Sequence, residues 1–559
     1  MTTLALLESV HQAPFLRAAA VAVVVYILRL LYRRCKCISI SYIPGPKKSD
    51  SFFGNLTDLY FREVGEPHFQ WQEEYGQVFK IHGLLGEEHL MVSDPKAIQY
   101  VYANSRSFIR QKHSRNLLKM LFGPGLGVVD FDDHKRQRRV MQPAFGSPHL
   151  RNLFPVFIRH TRKVCPPTRE VVGDSNCQSL QLNVHDYATR VTLDITGDAV
   201  FEYQFGALDN KQDKLKEVMK NVEAQSLGNN SKSQIFISFI AERLPEQIID
   251  IILHLPTKKY KYIKQTRDTI AAIAAEVMTE KRADMRKYLE DGKDLMSLLL
   301  RANAREDIRR RMSDEEINAG ITTITFASYT TTASTLAFTL WELAKNTEIQ
   351  RRLRDEILTA KRDVLKSTGI DEIPFSYYEK MPLLIAVTKE TLRMHPVGFM
   401  GAKQAVEDEV IPLSQPLKLP DGRLITEIPV SKGQNIWINI PGYNRLSSIF
   451  GQNTHEFNVD RWLENRVDDH PGLVGVYSNL ITFGHGPHAC IGWRFSLLEA
   501  QTVLIELLAN FEFRLPKNYK GVRRTGAATM IPTVPGDREA GTRLDLEISI
   551  LPDWDPPCE

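Results

Sequence analysis

Between Ile321 and Leu340 the chain runs for twenty residues without one charged side chain. The run sits inside a longer helical pattern. Ser313 and Glu316 stand at the spacing of a capping box, the pattern continues to about Lys345, and Asn346 is a stop signal. A helix of roughly 30 residues is longer than the usual globular helix. Its uncharged middle has no face to offer water, so this helix is expected to cross the centre of the fold with neighbours on nearly every side. A large core is needed to cover it, and 559 residues supply one.

The remaining composition narrows the function classes. With 43% apolar and 25% charged residues the chain is globular rather than disordered. A net charge of +4 over this length gives a nucleic-acid role no support. Helical patterns dominate. Val78–Ile81 and His89–Val92 read as a short hairpin, and Asn435–Ile440 alternates like a strand. The apolar stretch Ile235–Pro256 is expected to pack into the core, with a membrane contact as the alternative.

Phe15 to Tyr32 is mostly apolar, close to the roughly 20 residues a bilayer-spanning helix needs. Arg33, Arg34 and Lys36 follow it and predict that the main body stays cytosolic. A cleaved signal peptide would carry its charges before the apolar run instead. Residues 1–36 are therefore expected to form a membrane anchor in contact with lipid, 37–48 a Pro/Gly hinge around Pro44-Gly45-Pro46, and 49–559 the body. The sequons at Asn55 and Asn229 should then go unused. Six cysteines, Cys35, Cys37, Cys165, Cys177, Cys490 and Cys558, are too scattered for a disulfide framework.

One cysteine has a distinctive setting, Phe483-Gly-His-Gly-Pro-His-Ala-Cys490-Ile-Gly492. Gly484 and Gly486 allow a tight turn close to a flat ligand. Cys490 precedes a helical pattern over Arg494–Asn510, and a helix N-terminus offers free N–H groups and positive potential. Both favour the thiolate, the form that binds metal. Phe483 can shield the sulfur from water.

The spacing F-G-x-G-x-x-x-C-x-G resembles the haem-binding loop of the cytochrome P450 family. Further elements resemble the family in the same order along the chain. Glu390-Thr-Leu-Arg393 matches its E-x-x-R pair, and Phe457-Asn-Val-Asp-Arg461-Trp matches the element that adds a second arginine; these three imply a buried structural network. His134-Lys-Arg-Gln-Arg138 is similar to the helix whose Trp and Arg hold a haem propionate. Lys403 falls where another propionate-binding arginine is common. His488 replaces the usual arginine before the cysteine, so haem retention is expected to depend on pH. On the long helix, Phe326-Ala327-Ser328-Tyr329-Thr330-Thr331 is similar to the oxygen-activating element. Thr331 matches its alcohol. Thr330 stands in place of the usual acid and Ser328 in place of glycine.

The resemblance implies a P450 fold, mainly α with a smaller β-rich part, following one transmembrane helix. It implies haem b ligated through Cys490 and a monooxygenase reaction with dioxygen. No G-x-G-x-x-G follows a strand and opens a helix, so electrons are expected from a separate NADPH-dependent flavin reductase, with the enzyme in the endoplasmic reticulum membrane. Microsomal, fungal-type members are the nearest in character. Pocket residues are expected from Phe108–Val129, from Ala327 and Tyr329, from Val397, Phe399 and Met400, and from Met530–Val534. They are mostly apolar and imply a hydrophobic substrate, a terpenoid or other secondary metabolite, or an aromatic xenobiotic. The competing functions are a haem-thiolate isomerase or dehydratase that needs no reductase, and a catalytically inactive haem-binding homologue.

Overall fold

A computed structural model describes residues 38–164, 179–209, 231–245, 247–249, 258–283, 292–464, 467 and 474–551. The expected membrane span at Phe15–Tyr32, the sequon at Asn229 and every cysteine except Cys490 lie outside the described residues. Among the described residues no helix is long and apolar enough to cross a membrane.

The long helix forms over Asp314–Lys345. Its capping box closes: the Ser313 hydroxyl accepts the Glu316 N–H at 3.2 Å, and the Glu316 carboxylate accepts the Ser313 N–H at 2.9 Å. Burial extends from Ile317 to Ala344. The many hydroxyls survive this burial because Thr322, Thr325, Thr335 and Thr339 each donate to the carbonyl four residues back, at 2.8–3.0 Å. Helices Val184–Phe201, Lys258–Ala283, Pro382–Met394 and Trp493–Asn510 pack around it. Thr192 donates to the Tyr329 carbonyl at 3.0 Å, and the hydroxyls of Thr196 and Ser328 meet at 3.0 Å. Ser328 is thereby absorbed into a helix–helix contact.

The predicted hairpin forms as Val78–His82 against Glu88–Val92. It belongs to a five-stranded sheet that continues through Asn435–Asn439, Met400–Ala405 and Phe108–Arg110. The Asn435 strand ends one residue early, because Asn439 caps a short turn through the Gly442 N–H, with Pro441 at its start. Neighbouring residues on a strand point to opposite faces. Lys403, paired with Ile436 and with Arg110, therefore lies on one face, and Gln404, Asn435 and Trp437 lie on the other. The Pro/Gly segment is pinned to this sheet: Ile40 and Ile43 are buried, and the Pro44 carbonyl accepts the Lys80 N–H at 2.9 Å. A Cβ on Gly45 would fall 2.0 Å from the Lys80 carbonyl oxygen, so only glycine fits there. Asn55 is buried as well, donating to the Lys47 carbonyl and accepting the His82 N–H.

The Ile235–Pro256 stretch departs from its expected core packing. In its described part, the helix Lys232–Arg243 buries Ile235 and Ala241 but leaves Phe236, Ile237 and Ile240 exposed. Apolar residues occur on more of its circumference than one packed face can cover.

Glu390, Arg393 and Arg461 meet where Pro382–Met394 crosses the segment before the cysteine loop. All three are buried. Arg393 forms a two-pronged pair with Glu390 at 2.8 Å on each oxygen. Arg461 Nε, the Asn458 N–H and the Trp462 indole N–H complete the carboxylate. The spare guanidinium protons of Arg393 go to the carbonyls of Asn444, Thr454 and Glu456. Burial by itself raises the Glu390 pKa, but Arg393 and Arg461 outweigh it and the carboxyl is held below its usual value. The network's stability is thus present above the ordinary carboxylate range and lost as pH falls through the folded value. Glu390→Gln is expected to cost about 3–5 kcal/mol of unfolding free energy. It should also flatten the acid side of the stability curve, as measured by denaturant unfolding across pH.

Candidate functional site

The cysteine loop is two tight turns, Ile481–Phe483 and Gly486–His488, followed by the helix Trp493–Asn510. Gly484 and Gly486 take φ of 72° and 66°. At Gly486 a Cβ would also stand 3.0 Å from the Tyr102 carbonyl oxygen. The loop closes on itself, with the Cys490 N–H donating to the Phe483 carbonyl at 2.8 Å. Cys490 then sits just ahead of the helix, as its sequence predicts.

Its side chain is exposed even though its loop neighbour Ala489 is buried. The depth of the site still governs its chemistry. Burial pushes the Cys490 thiol up, while the Gly492 N–H and the Arg138 guanidinium pull it down without reversing the shift. The protein alone therefore does not make a thiolate here, whereas a bound cationic metal would deprotonate the thiol outright.

Cationic and imidazole groups converge on the other side of the loop. Arg138 donates to the Ala489 carbonyl at 2.6 Å, which sets its guanidinium beside Cys490. His134 stacks on His488, with centroids 3.8 Å apart and planes 23° from parallel. Burial, then Arg138, Lys403 and Arg110, push His134 down to about 4. Burial, then His134 and the same three cations, push His488 down to about 3. Burial and Arg110 lower Lys403 to about 8, with only Asp130 acting the other way. Burial and the neighbouring cations thus favour neutral His488, and a bound anion would shift its pKa upward again. Five groups that repel one another's protons form a receptor for negative charge. A flat group with a metal centre and carboxylate arms fits this donor set, sulfur on one side and cations on another.

The sequence places Arg110 only within the Phe108–Val129 pocket segment and gives no sign that it joins these cations. It lies in the three-residue strand Phe108–Arg110, and only its pairing with Lys403 across the sheet brings it to the cluster.

The long helix contributes a second open surface. Ala327 is exposed although it lies at the middle of a buried helix, and Thr331, one turn on, is half-buried. The Thr331 hydroxyl donates to the Ala327 carbonyl at 2.8 Å. Thr330 is buried. Thr332 joins the long helix to the cysteine helix through the Ser496 hydroxyl at 3.0 Å. An open alanine on the long helix and an open cysteine just ahead of the helix packed against it point to an interior space between them.

Of the predicted pocket residues, Phe399 and Met530 share one apolar cluster with Val64 and Phe338, and Met400 packs against it. The Val397 carbonyl accepts the Met530 N–H at 2.8 Å. Tyr329 departs from its expected place. It lies about 200° round the helix from Ala327 and packs with Leu193, Phe205 and Ile270 instead. From Phe108–Val129, Phe122 reaches the long helix at Phe326, with ring centroids 5.1 Å apart and planes tilted by 60°.

The sequence model of the family described as cytochrome P450 matches residues 44–536. The chain belongs to the cytochrome P450 family. Among its relatives is cytochrome P450 monooxygenase 205 of Postia placenta, 30% identical over 545 residues that cover 95% of this chain and 97% of the relative. Cytochrome P450 monooxygenase claP of Ampulloclitocybe clavipes is 31% identical over 478 residues, covering 84% of this chain and 86% of the relative. The crystal structure of the cytochrome P450DA heme domain superposes with a TM-score of 0.68 at 23% identity, over 92% of this chain and 98% of that one, and shows the shared fold. Membership implies a haem cofactor, dioxygen and a redox partner.

In this P450 a further buried acid went unread in the sequence. Glu499, on the cysteine helix, is fully buried, and neither carboxylate oxygen has a hydrogen-bond partner. Thr332 lies close enough to ease its charge but gives no bond of good geometry, its hydroxyl being engaged with Ser496. Burial dominates and pushes the carboxyl well above its usual range. The folded protein then holds a proton that the unfolded chain releases, so stability falls as pH rises from about 4.5 toward the folded value. Glu499→Gln is expected to remove that decline, measured as the difference between wild-type and variant unfolding free energies across the same pH range.

Proposed function

We propose that this P450 is a monooxygenase that oxidises a hydrophobic small molecule, using dioxygen and electrons passed from an NADPH-dependent flavin reductase. The observation that carries the reading is the open Cys490 sulfur beside a cluster of cations that outnumber the one carboxylate acting on them, Asp130. Haem b would be held there through Cys490, with Phe483 shielding the sulfur. Arg110, His134, Arg138, Lys403 and His488 would receive its two carboxylates. A haem thiolate supplies the oxidising power, because the sulfur pushes electron density toward iron and favours O–O cleavage.

The chain's own share is placement and proton supply. Thr331, on the open face of the long helix, would order a water and present its hydroxyl to dioxygen. Thr330 can relay a proton but brings no charge, so delivery would run through hydroxyls and water. Ala327, Val397, Phe399, Met400 and Met530 would give the substrate an apolar wall, suited to a terpenoid, another secondary metabolite or an aromatic xenobiotic. Tyr329 would act from behind this wall, by packing.

The apolar run Phe15–Tyr32 and its basic flank support a single-pass anchor over residues 1–36, with the catalytic domain at 49–559 facing the cytosol from the endoplasmic reticulum. The exposed Phe236, Ile237 and Ile240 are suited to a second contact with lipid.

Two measurements test the reading. Reduced protein exposed to carbon monoxide should develop the long-wavelength band of thiolate-ligated haem, and Cys490→Ser should abolish it. In Thr331→Ala, haem content should stay unchanged while product per NADPH falls several-fold and peroxide rises. An unchanged yield would remove Thr331 from proton delivery.

A further inference from the structure

The helix Phe131–Met141 has two working sides. His134 and Arg138 share one of them, a turn apart, and meet the cysteine loop through the His488 ring and the Ala489 carbonyl. Arg136 projects from the opposite side, roughly 160° round the helix from either of them. Whatever grips Arg136 from behind therefore sets how His134 and Arg138 are presented in front.

Glu316, in the first turn of the long helix, supplies that grip. The Arg136 guanidinium donates to both Glu316 oxygens and, at 3.0 Å, to the Arg311 carbonyl. Two charge-assisted bonds to one carboxylate fix orientation as well as distance. The side chains are only 21% and 15% exposed, so solvent screens this pair less than a surface pair. Arg136 does most to hold the Glu316 carboxyl down at about 2; burial opposes it, and the Ser313 N–H and Gln137 amide add to it. Arg139 and Glu306 tie the same segments at 3.3 Å, but Arg139 is 60% exposed and such pairs contribute little. The bond from Arg136 to Asp133 stays within one helix and sets nothing between helices.

The same carboxylate reaches a third cation through a loop. The Gln137 amide donates to Glu316 at 3.0 Å and to the Pro124 carbonyl at 2.9 Å. The loop Gly123–Gly127 is pressed onto the long helix: a Cβ on Gly125 would stand 2.8 Å from the Ala319 carbonyl oxygen and from the Thr323 hydroxyl. At its far end the Gly127 carbonyl accepts from Arg110. Arg110, His134 and Arg138 thus trace back to one acid on another helix. Capping accounts for only one contact of the Glu316 carboxylate, that with the Ser313 N–H.

We propose, on the haem reading given above, that Glu316 is a positioning residue for haem: it sets the helix Phe131–Met141 and the Gly123–Gly127 loop so that Arg138, His134 and Arg110 meet the haem carboxylates. Without it the cations remain but their places relax, and haem is held less firmly.

The test uses the full-length, haem-loaded protein. Haem release is timed by transfer to apomyoglobin, and resonance Raman reads the bending bands of the haem carboxylate arms. Glu316→Gln keeps a residue that serves in a capping box, so its effect reports the grip on Arg136. It should shift the bands and speed release about tenfold, the scale on which groups behind a ligand act. Arg136→Gln should do likewise, and the double variant should fall well short of the product of the two effects. Ser313→Ala weakens the cap but leaves Glu316 its partners. It should lower the unfolding midpoint while release and bands stay as in wild type. Unchanged release and bands in Glu316→Gln overturn the proposal. So does an equal effect of Ser313→Ala, which would make Glu316 a cap alone, or full additivity with Arg136→Gln. Wild-type protein without the carbon monoxide band of thiolate-ligated haem overturns the haem reading itself, whereas a normal band with unchanged release overturns this assignment only.

Discussion

A helix of 32 residues, buried along most of its length, has to be covered on every side, and the rest of this fold is arranged to cover it. Burial on that scale is possible because the hydroxyls are satisfied within the helix or by a neighbour. Thr322, Thr325, Thr335 and Thr339 turn back on their own carbonyls, while Thr192 and Thr196 tie it to the Val184–Phe201 helix. Where the cover is interrupted, at Ala327 and Thr331, the opening is informative. A gap in otherwise close packing is costly unless something occupies it.

Two groups of charges illustrate opposite solutions to burial. Around Glu390 every lone pair and nearly every guanidinium proton is matched, so the set is closed and serves the fold. Around His488 the same kinds of residue outnumber the one acid acting on them, Asp130, and their pKa values fall together. A closed network stabilises by itself, whereas an open one is complete only with an anion. The difference between them separates structural arginines from ligand-binding ones more clearly than residue type does.

Much of the architecture was legible in sequence because it is local. The capping box at Ser313, the hairpin at Val78, the strand at Asn435 and the turn before Cys490 all follow from spacing along a single element. The resemblance ordered these elements into one family, and the family match over residues 44–536 bears that out. What could not be read depends on contacts between elements. Arg110 joins Lys403 only through strand pairing, Tyr329 turns toward Phe205 because of how two helices dock, and Phe236, Ile237 and Ile240 stay exposed because of how the Lys232–Arg243 helix is seated. Glu499 sits among apolar neighbours of its helix, where a carboxylate gives no sign of whether it will find a partner.

By itself the sequence determined a long buried helix with its caps, and a cysteine held in a glycine turn at the mouth of another helix. Hydrogen-bonding geometry and side-chain period act over a few residues, so these features needed no knowledge of the rest. Tertiary structure alone decided which cations gather beside that cysteine, which face of the long helix stays open, and which side of the sheet encloses a cavity. Those depend on register and packing angle, and a single strand shift would send Lys403 and Gln404 to each other's faces.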